Sequence, residues 1–89
     1  MSAPVAVMLR RFRSGDRACV ALFPELPEGP GQCRSYMRVG QHGAADLALI
    51  AATRRADPQR EADAAALVRE LEGLGYRLRV VKRRPPPKR

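Results

Sequence analysis

The chain has 89 residues, 45% of them apolar, and carries 17 Lys and Arg against 9 Asp and Glu for a formal net charge of +8. This length supports one core and excludes a separate catalytic domain with a deep cleft, and no apolar run approaches the roughly 18 residues needed to span a bilayer as a helix. The apolar fraction leans on alanine, with Phe12, Phe23, Tyr36 and Tyr76 the only aromatics, so the core is expected to be thin and marginally stable.

Residues 1 to 9 are apolar but lack a basic leader and run directly into RRFR, which is not the pattern of a signal peptide. Cys19 and Cys33 have no CxxC spacing, so a reduced cytoplasmic protein is the expectation. PVAVMLRRFR at 4–13 is rich in β-branched and apolar side chains, Ser14-Gly15-Asp16 supplies turn chemistry, and RACVALF at 17–23 is a second apolar run. Together they predict a β-hairpin. Pro24, Pro27, Pro30, Gly29 and Gly31 then predict a loop over 24–32, because proline lacks a backbone donor and glycine accepts positive φ.

A third strand is predicted over about 33–41. Period-2 alternation places Arg34, Tyr36, Arg38 and His42 on one face of it and Cys33, Met37 and Val39 on the other. Gly40 and Gly43 bracket Gln41-His42, which predicts a turn there. AADLALIAAT at 44–53 reads as a short helix or as an extended buried segment, and periodicity does not separate the two. Asp57-Pro58 predicts a helix start, with Ala64, Leu67, Val68, Leu71 and Leu74 as one buried stripe and Gly73 and Gly75 as the stop. YRLRVVK then alternates Tyr76, Leu78 and Val80 inward against Arg77 and Arg79 outward, a last strand. The predicted fold class is α+β: a small, mainly antiparallel sheet of three to four strands packed on one principal helix, in the order β-β-β-(short segment)-α-β. Residues 1–81 form the single compact domain, and 82–89, KRRPPPKR, form a basic proline-rich tail, expected to be disordered.

The positive charge suggests a polyanion partner, although its distribution tempers this. The tail holds 5 of the 17 cations and no acid, which leaves residues 1–81 with 12 against 9. Abundant Ala, Arg, Gly and Pro is also what GC-rich coding produces, so the arginine count alone selects no ligand. If the third and last strands are neighbours, Arg34, Arg38, Arg77 and Arg79 share a face with Tyr36, combining phosphate contacts with a stacking ring, and Gln41 and His42 adjoin them. The opposing reading is a solvated sheet face on which arginine stems cover apolar surface. Lys82, Arg83, Arg84, Lys88 and Arg89 of the tail predict weak polyanion contact without sequence preference.

Catalysis finds little support. Cys33 and His42 are the one thiol and imidazole pair within reach of an orienting carboxylate, Asp46, but nine residues along a strand is about 30 Å and odd spacing puts the pair on opposite faces. Two cysteines and one histidine without short spacing do not make a zinc site, and no P-loop, GxGxxG or paired-carboxylate motif occurs, so neither metal nor cofactor is expected. ALFPE at 21–25, the spaced Cys33, Ser35, Tyr36 and Met37 with Val39 to Gly43, Thr53-Arg54, and ELEGLGYRL at 70–78 resemble a family of small bacterial proteins, some carried by phages and mobile elements. That pattern often has histidine at position 38 and proline at 55, where this chain has Arg38 and Arg55, a departure that argues against a paired-histidine or metal role. The resemblance implies a compact domain with a GQHG turn and brings no reaction. The reading is therefore a small non-enzymatic binding or accessory protein contacting nucleic acid electrostatically, with a protein-interaction module, or a homodimer through an exposed sheet edge, as the alternative, and a small Cys- or His-dependent enzyme behind both.

Overall fold

The computed structural model describes residues 4–38 and 40–85. In chain order the elements are β1 (Val5–Phe12), β2 (Cys19–Gly29), β3 (Gln32–Met37), β4 (Gln41–Asp46), α1 (Leu49–Ala52), β5 (Thr53–Arg55), α2 (Ala62–Gly73) and β6 (Leu78–Val80). The expected hairpin is formed by β1 and β2, antiparallel from Met8↔Leu22 to Arg11↔Cys19. The segment 24–32 is not the expected loop, since β2 runs on to Gly29. Register shifts between Phe23, Pro27 and Gly29 place the prolines where no regular ladder bond is required. Beside them the Glu25 carboxylate accepts the Ala6 N–H at 3.4 Å.

The third strand is shorter than expected, because Arg38 and Gly40 are turn residues and the chain does not turn at 41–43. Gly40 adopts φ +74° in this turn, and its N–H donates to the Tyr36 hydroxyl at 3.1 Å. Gln41 and His42 therefore open β4, which pairs with β3 without a break from Met37↔Gln41 to Gln32↔Asp46. QHGAAD has poor strand propensity, and pairing with β3 overrides it. The ambiguous stretch 44–53 contains the end of β4, the helical turn α1 and the start of β5. Arg10 closes α1 by donating to the Ile50 carbonyl at 2.8 Å and to the Thr53 carbonyl at 2.5 Å.

The principal helix begins later than Asp57-Pro58 suggested. Asp57 caps a separate turn, its Oδ1 accepting the Gln59 N–H at 2.9 Å and its carbonyl accepting the Arg60 and Glu61 N–H groups at 3.1 and 2.8 Å. Glu61 is extended and α2 starts at Ala62. Ala64, Leu67 and Leu71 are buried as the periodicity implied, whereas Leu74 is 55% exposed. The stop is Gly75 at φ +100°, with the Tyr76 N–H returning to the Leu71 carbonyl at 3.2 Å.

The last strand is only Leu78–Val80, and it runs parallel to β1 from Val5↔Leu78 to Val7↔Val80. The strand order is β4-β3-β2-β1-β5, with β6 also on β1, so β5 and β6 share one edge of β1. The expectation of a three- to four-stranded sheet on one principal helix is thus overturned by a six-stranded, predominantly β architecture with two short helices. The extended end of β2, β4 and β5 are segments that propensity leaves undecided and that pairing makes into strands, the first two in hairpins with β3 and the third with the distant β1. Each face of the sheet carries a core, so the Tyr36 face is not wholly solvated, although Arg34, Arg38 and His42 on it are exposed. Val7, Leu9, Ala21, Phe23 and Tyr36 pack beneath Leu67 and Leu71 of α2, while Met8, Val20, Leu22, Cys33 and Ala45 form a second core flanked by Ile50 and Val81.

Arg11 extends the Val7-Leu9 face of the central strand and is 9% exposed. Its Nε donates to Glu61 Oε1 at 2.8 Å, its Nη1 and Nη2 donate to the two Asp63 oxygens at 2.8 and 2.5 Å, and Nη1 also reaches the Arg17 carbonyl at 2.7 Å. Arg11→Ala strands two carboxylates beside the core, and a loss of about 3 kcal/mol in unfolding free energy is expected by urea titration, the low end for a buried pair, because the Asp63 side chain is 45% exposed.

Candidate nucleic-acid interface

The face proposed from sequence is only partly assembled. Tyr36 is buried, 1% exposed, because α2 lies over it. Its hydroxyl donates to Glu70 Oε2, and that hydrogen bond, followed by burial, raises its pKa. A ring held this way offers no open stacking platform. Arg34 is exposed, with Nε 3.1 Å from Glu28 Oε2; this bond, then one that the guanidinium donates to the Tyr76 hydroxyl oxygen, raises its pKa. Arg38 Nε lies 3.6 Å from Glu70 Oε1. Gln41 and His42 are exposed on β4, with the imidazole edge-on to Tyr36 at 4.6 Å and 68°.

Arg77 and Arg79 do not join this group, since β2 and β1 lie between β3 and β6. Both are exposed, and Arg79 reaches Glu25 at 3.9 Å. Of the tail cations, Lys82, Arg83 and Arg84 are exposed; Lys88 and Arg89 lie outside the described residues, as does Val39. The start of the tail follows the sheet, with the Val81 N–H donating to the Val7 carbonyl at 2.9 Å, and the Arg84 charge is felt at Cys33.

Cys33 and the imidazole are kept on opposite faces of the sheet. Cys33 belongs to the second core, whereas His42 pairs with Tyr36 on the α2 side. Burial raises the Cys33 pKa, and burial followed by the Asp63 charge pushes Cys19 up to about 11. Both cysteines are free and buried, a setting that suppresses the nucleophilic thiolate. Among the described residues no group of three His, Cys, Asp or Glu side chains is placed to hold a metal ion, and no helix is long and apolar enough to cross a membrane.

A cationic margin that the sequence reading passed over lies on the opposite edge of the sheet. Arg55, Asp57, Pro58, Gln59, Arg60, Val80 and Lys82 line a polar groove of about 720 Å³ where β5 and β6 meet on β1. Arg60 has its weak pair with Asp57 at 3.9 Å and a side chain 87% exposed, and Arg54 shares Glu61 with Arg11 at 3.4 Å. Arg13, Arg55, Lys82, Arg83 and Arg84 form no ion pair among the described residues. Arg13 sits close enough to Arg10 to lower its pKa, an effect second to burial. The Arg54-Arg55 doublet, followed by Arg60 and lacking nearby acids on its own strand, was the signal available in the sequence.

Comparison with protein-family models, curated proteins and solved structures yields no match. The functional reading therefore rests on geometry and charge.

In the native state Cys19 and Cys33 are expected to react with a colorimetric thiol reagent at neutral pH at least about tenfold more slowly than in urea; a fast native phase would contradict the burial described. Arg11 chiefly lowers Asp63, and the Asp57 N–H chiefly, with Arg11, lowers Glu61. Because these folded-state values lie below the unfolded ones, their stabilisation is full above roughly pH 5 and is lost as the pH falls through the folded values. The urea midpoint of the parent chain should therefore drop more steeply on acidification than that of Arg11→Ala.

Proposed function

We propose that this protein is a non-enzymatic accessory protein that contacts the phosphate backbone of nucleic acid along the β5 and β6 margin. The observation carrying this reading is the groove in which Arg55 and Lys82, without ion pairs among the described residues, stand with the exposed Arg60. Excess cations with no internal counter-ion release condensed ions when they neutralise phosphates. Arg83 and Arg84 extend the margin, whereas Arg34, Arg38 and Arg79 are drawn towards Glu28, Glu70 and Glu25. The groove offers neither an open ring nor a crowded set of base-reading amides, so the contact is electrostatic and without sequence preference. Two free, buried cysteines support a reducing, cytoplasmic setting.

Fluorescence anisotropy with short single- and double-stranded DNA and RNA over a salt series tests this. The full chain is expected to bind at low salt. Arg55→Glu/Arg60→Glu should weaken binding and flatten the log–log salt dependence by about 0.9 per lost phosphate contact on duplex DNA. A chain ending at Val81 should retain part of the affinity. Absence of binding at low salt, or binding indifferent to the Arg55 and Arg60 substitutions, overturns the proposal.

A further inference from the structure

The two margins of the sheet are built differently. On the β1 side, β5 and β6 are three residues each and carry Arg54, Arg55 and Arg79, the short, charged edge that discourages further pairing. On the other side β4 is a six-residue strand, five of whose residues are exposed. Gln41–Asp46 contains no Lys, Arg or Pro, and its pairing with β3 has no register shift. It is an open edge without a bulge.

Its backbone polarity follows from the ladder. The Leu47 N–H donates to the Gly31 carbonyl at 2.9 Å, which continues the Gln32↔Asp46 register by one pair. Hydrogen-bonded and non-hydrogen-bonded pairs alternate in an antiparallel ladder, so Gln41, Gly43 and Ala45 direct their N–H and C=O groups towards β3. His42, Ala44 and Asp46 direct theirs outward. These three residues also share the sheet face that carries Tyr36, because His42 stands opposite Tyr36 and side chains alternate with period 2.

We infer that β4 pairs antiparallel with β4 of a second copy of this chain, about a two-fold axis through Ala44. In this register the outward groups of Ala44 meet those of the partner's Ala44, and the Asp46 N–H meets the carbonyl of the partner's His42. The His42 N–H is already held by the Gly40 carbonyl at 3.1 Å, so the ladder runs through the other groups. Each His42 imidazole stands directly opposite the partner's Asp46, and the reverse, on one face. One Asp46 oxygen accepts the Ala48 N–H at 2.8 Å, leaving the second for the imidazole. The strand is therefore self-complementary in backbone polarity and in side-chain hydrogen-bonding groups, as an isologous contact requires. The small Ala44 side chains meet on the axis without obstruction. The result is one continuous sheet with a cationic margin at each outer edge, and the inference does not depend on what those margins bind.

The interface is small, so a concentration-dependent monomer–dimer equilibrium is expected in sedimentation velocity. Ala44→Pro removes the axial donor and spares every β3 bond, because that N–H points outward; its dissociation constant should rise by at least about tenfold with an unchanged circular dichroism spectrum. Dibromobimane should cross-link Ala44→Cys, whose paired Cα atoms would lie about 5.5 Å apart, and not His42→Cys, displaced from its copy by about 14 Å along the strand. The native cysteines are buried and stay silent. A monomer at all concentrations overturns the inference. So does a dimer that persists in a folded Ala44→Pro variant, or one that cross-links through His42→Cys and not Ala44→Cys. Should Ala44→Pro unfold, the cross-linking pair decides.

Discussion

The guanidinium of Arg11 is the constraint on which the rest of the helix side depends. It sits on the central strand, which pairs with β2, β5 and β6, and its stem continues the apolar face of Val7 and Leu9. A charge there is unfavourable without full pairing. Glu61 and Asp63 supply the carboxylates and Arg17 a carbonyl. To deliver them, the chain before α2 is held extended at Glu61, which separates the Asp57 turn from the helix, and Arg17 adopts φ 54° at the end of the β1–β2 turn. One buried cation thus sets where α2 begins and ties it to the hairpin.

That arrangement also sorts the charges. Glu61 and Asp63 serve Arg11, Glu70 serves Tyr36 and Arg38, Glu28 serves Arg34, and Glu25 lies between the Ala6 amide and Arg79. The acids are concentrated where α2 and the extended end of β2 lie, and Arg55 and Lys82, without ion pairs among the described residues, stand at the margin where β5 and the Asp57 turn meet the residues after β6. Arg55, Arg60 and Lys82 thus concentrate positive charge along one groove, a form of charge that steers a polyanion. The same edge, being short and cationic, resists strand addition, and the open edge is left at β4.

Much of the local structure was legible from residue types. Alternation identified the hairpin and correctly assigned Cys33 and Met37 to the face opposite Tyr36, and helical spacing identified Ala64, Leu67 and Leu71 as buried. The same alternation could not say what covers each face. Tyr36 looks identical in the sequence whether it faces water or α2, and its burial converts a proposed stacking ring into a structural hydrogen-bond donor to Glu70. Prolines at 24, 27 and 30 lack the backbone donor of a regular ladder, yet bulged pairing carries β2 past Pro24 and Pro27. Gln41-His42-Gly43 resembled a turn because glycine flanks it, yet the turn needs only Gly40.

The amino-acid sequence by itself determined the elements with strong local signals: an apolar hairpin, an amphipathic helix closed by glycine, and a cationic end. It determined these because period and turn chemistry act over a few neighbouring residues. Only the tertiary structure decided that β4 and β5 exist as strands, that β6 joins β1 in parallel and not β3, and that Arg55, Arg60 and Lys82 share one groove. Those outcomes depend on ladder hydrogen bonds with a partner strand, adjacent in the chain for β4 and distant for β5 and β6, where the competing local preferences are weak and the partner, not the segment, settles the conformation.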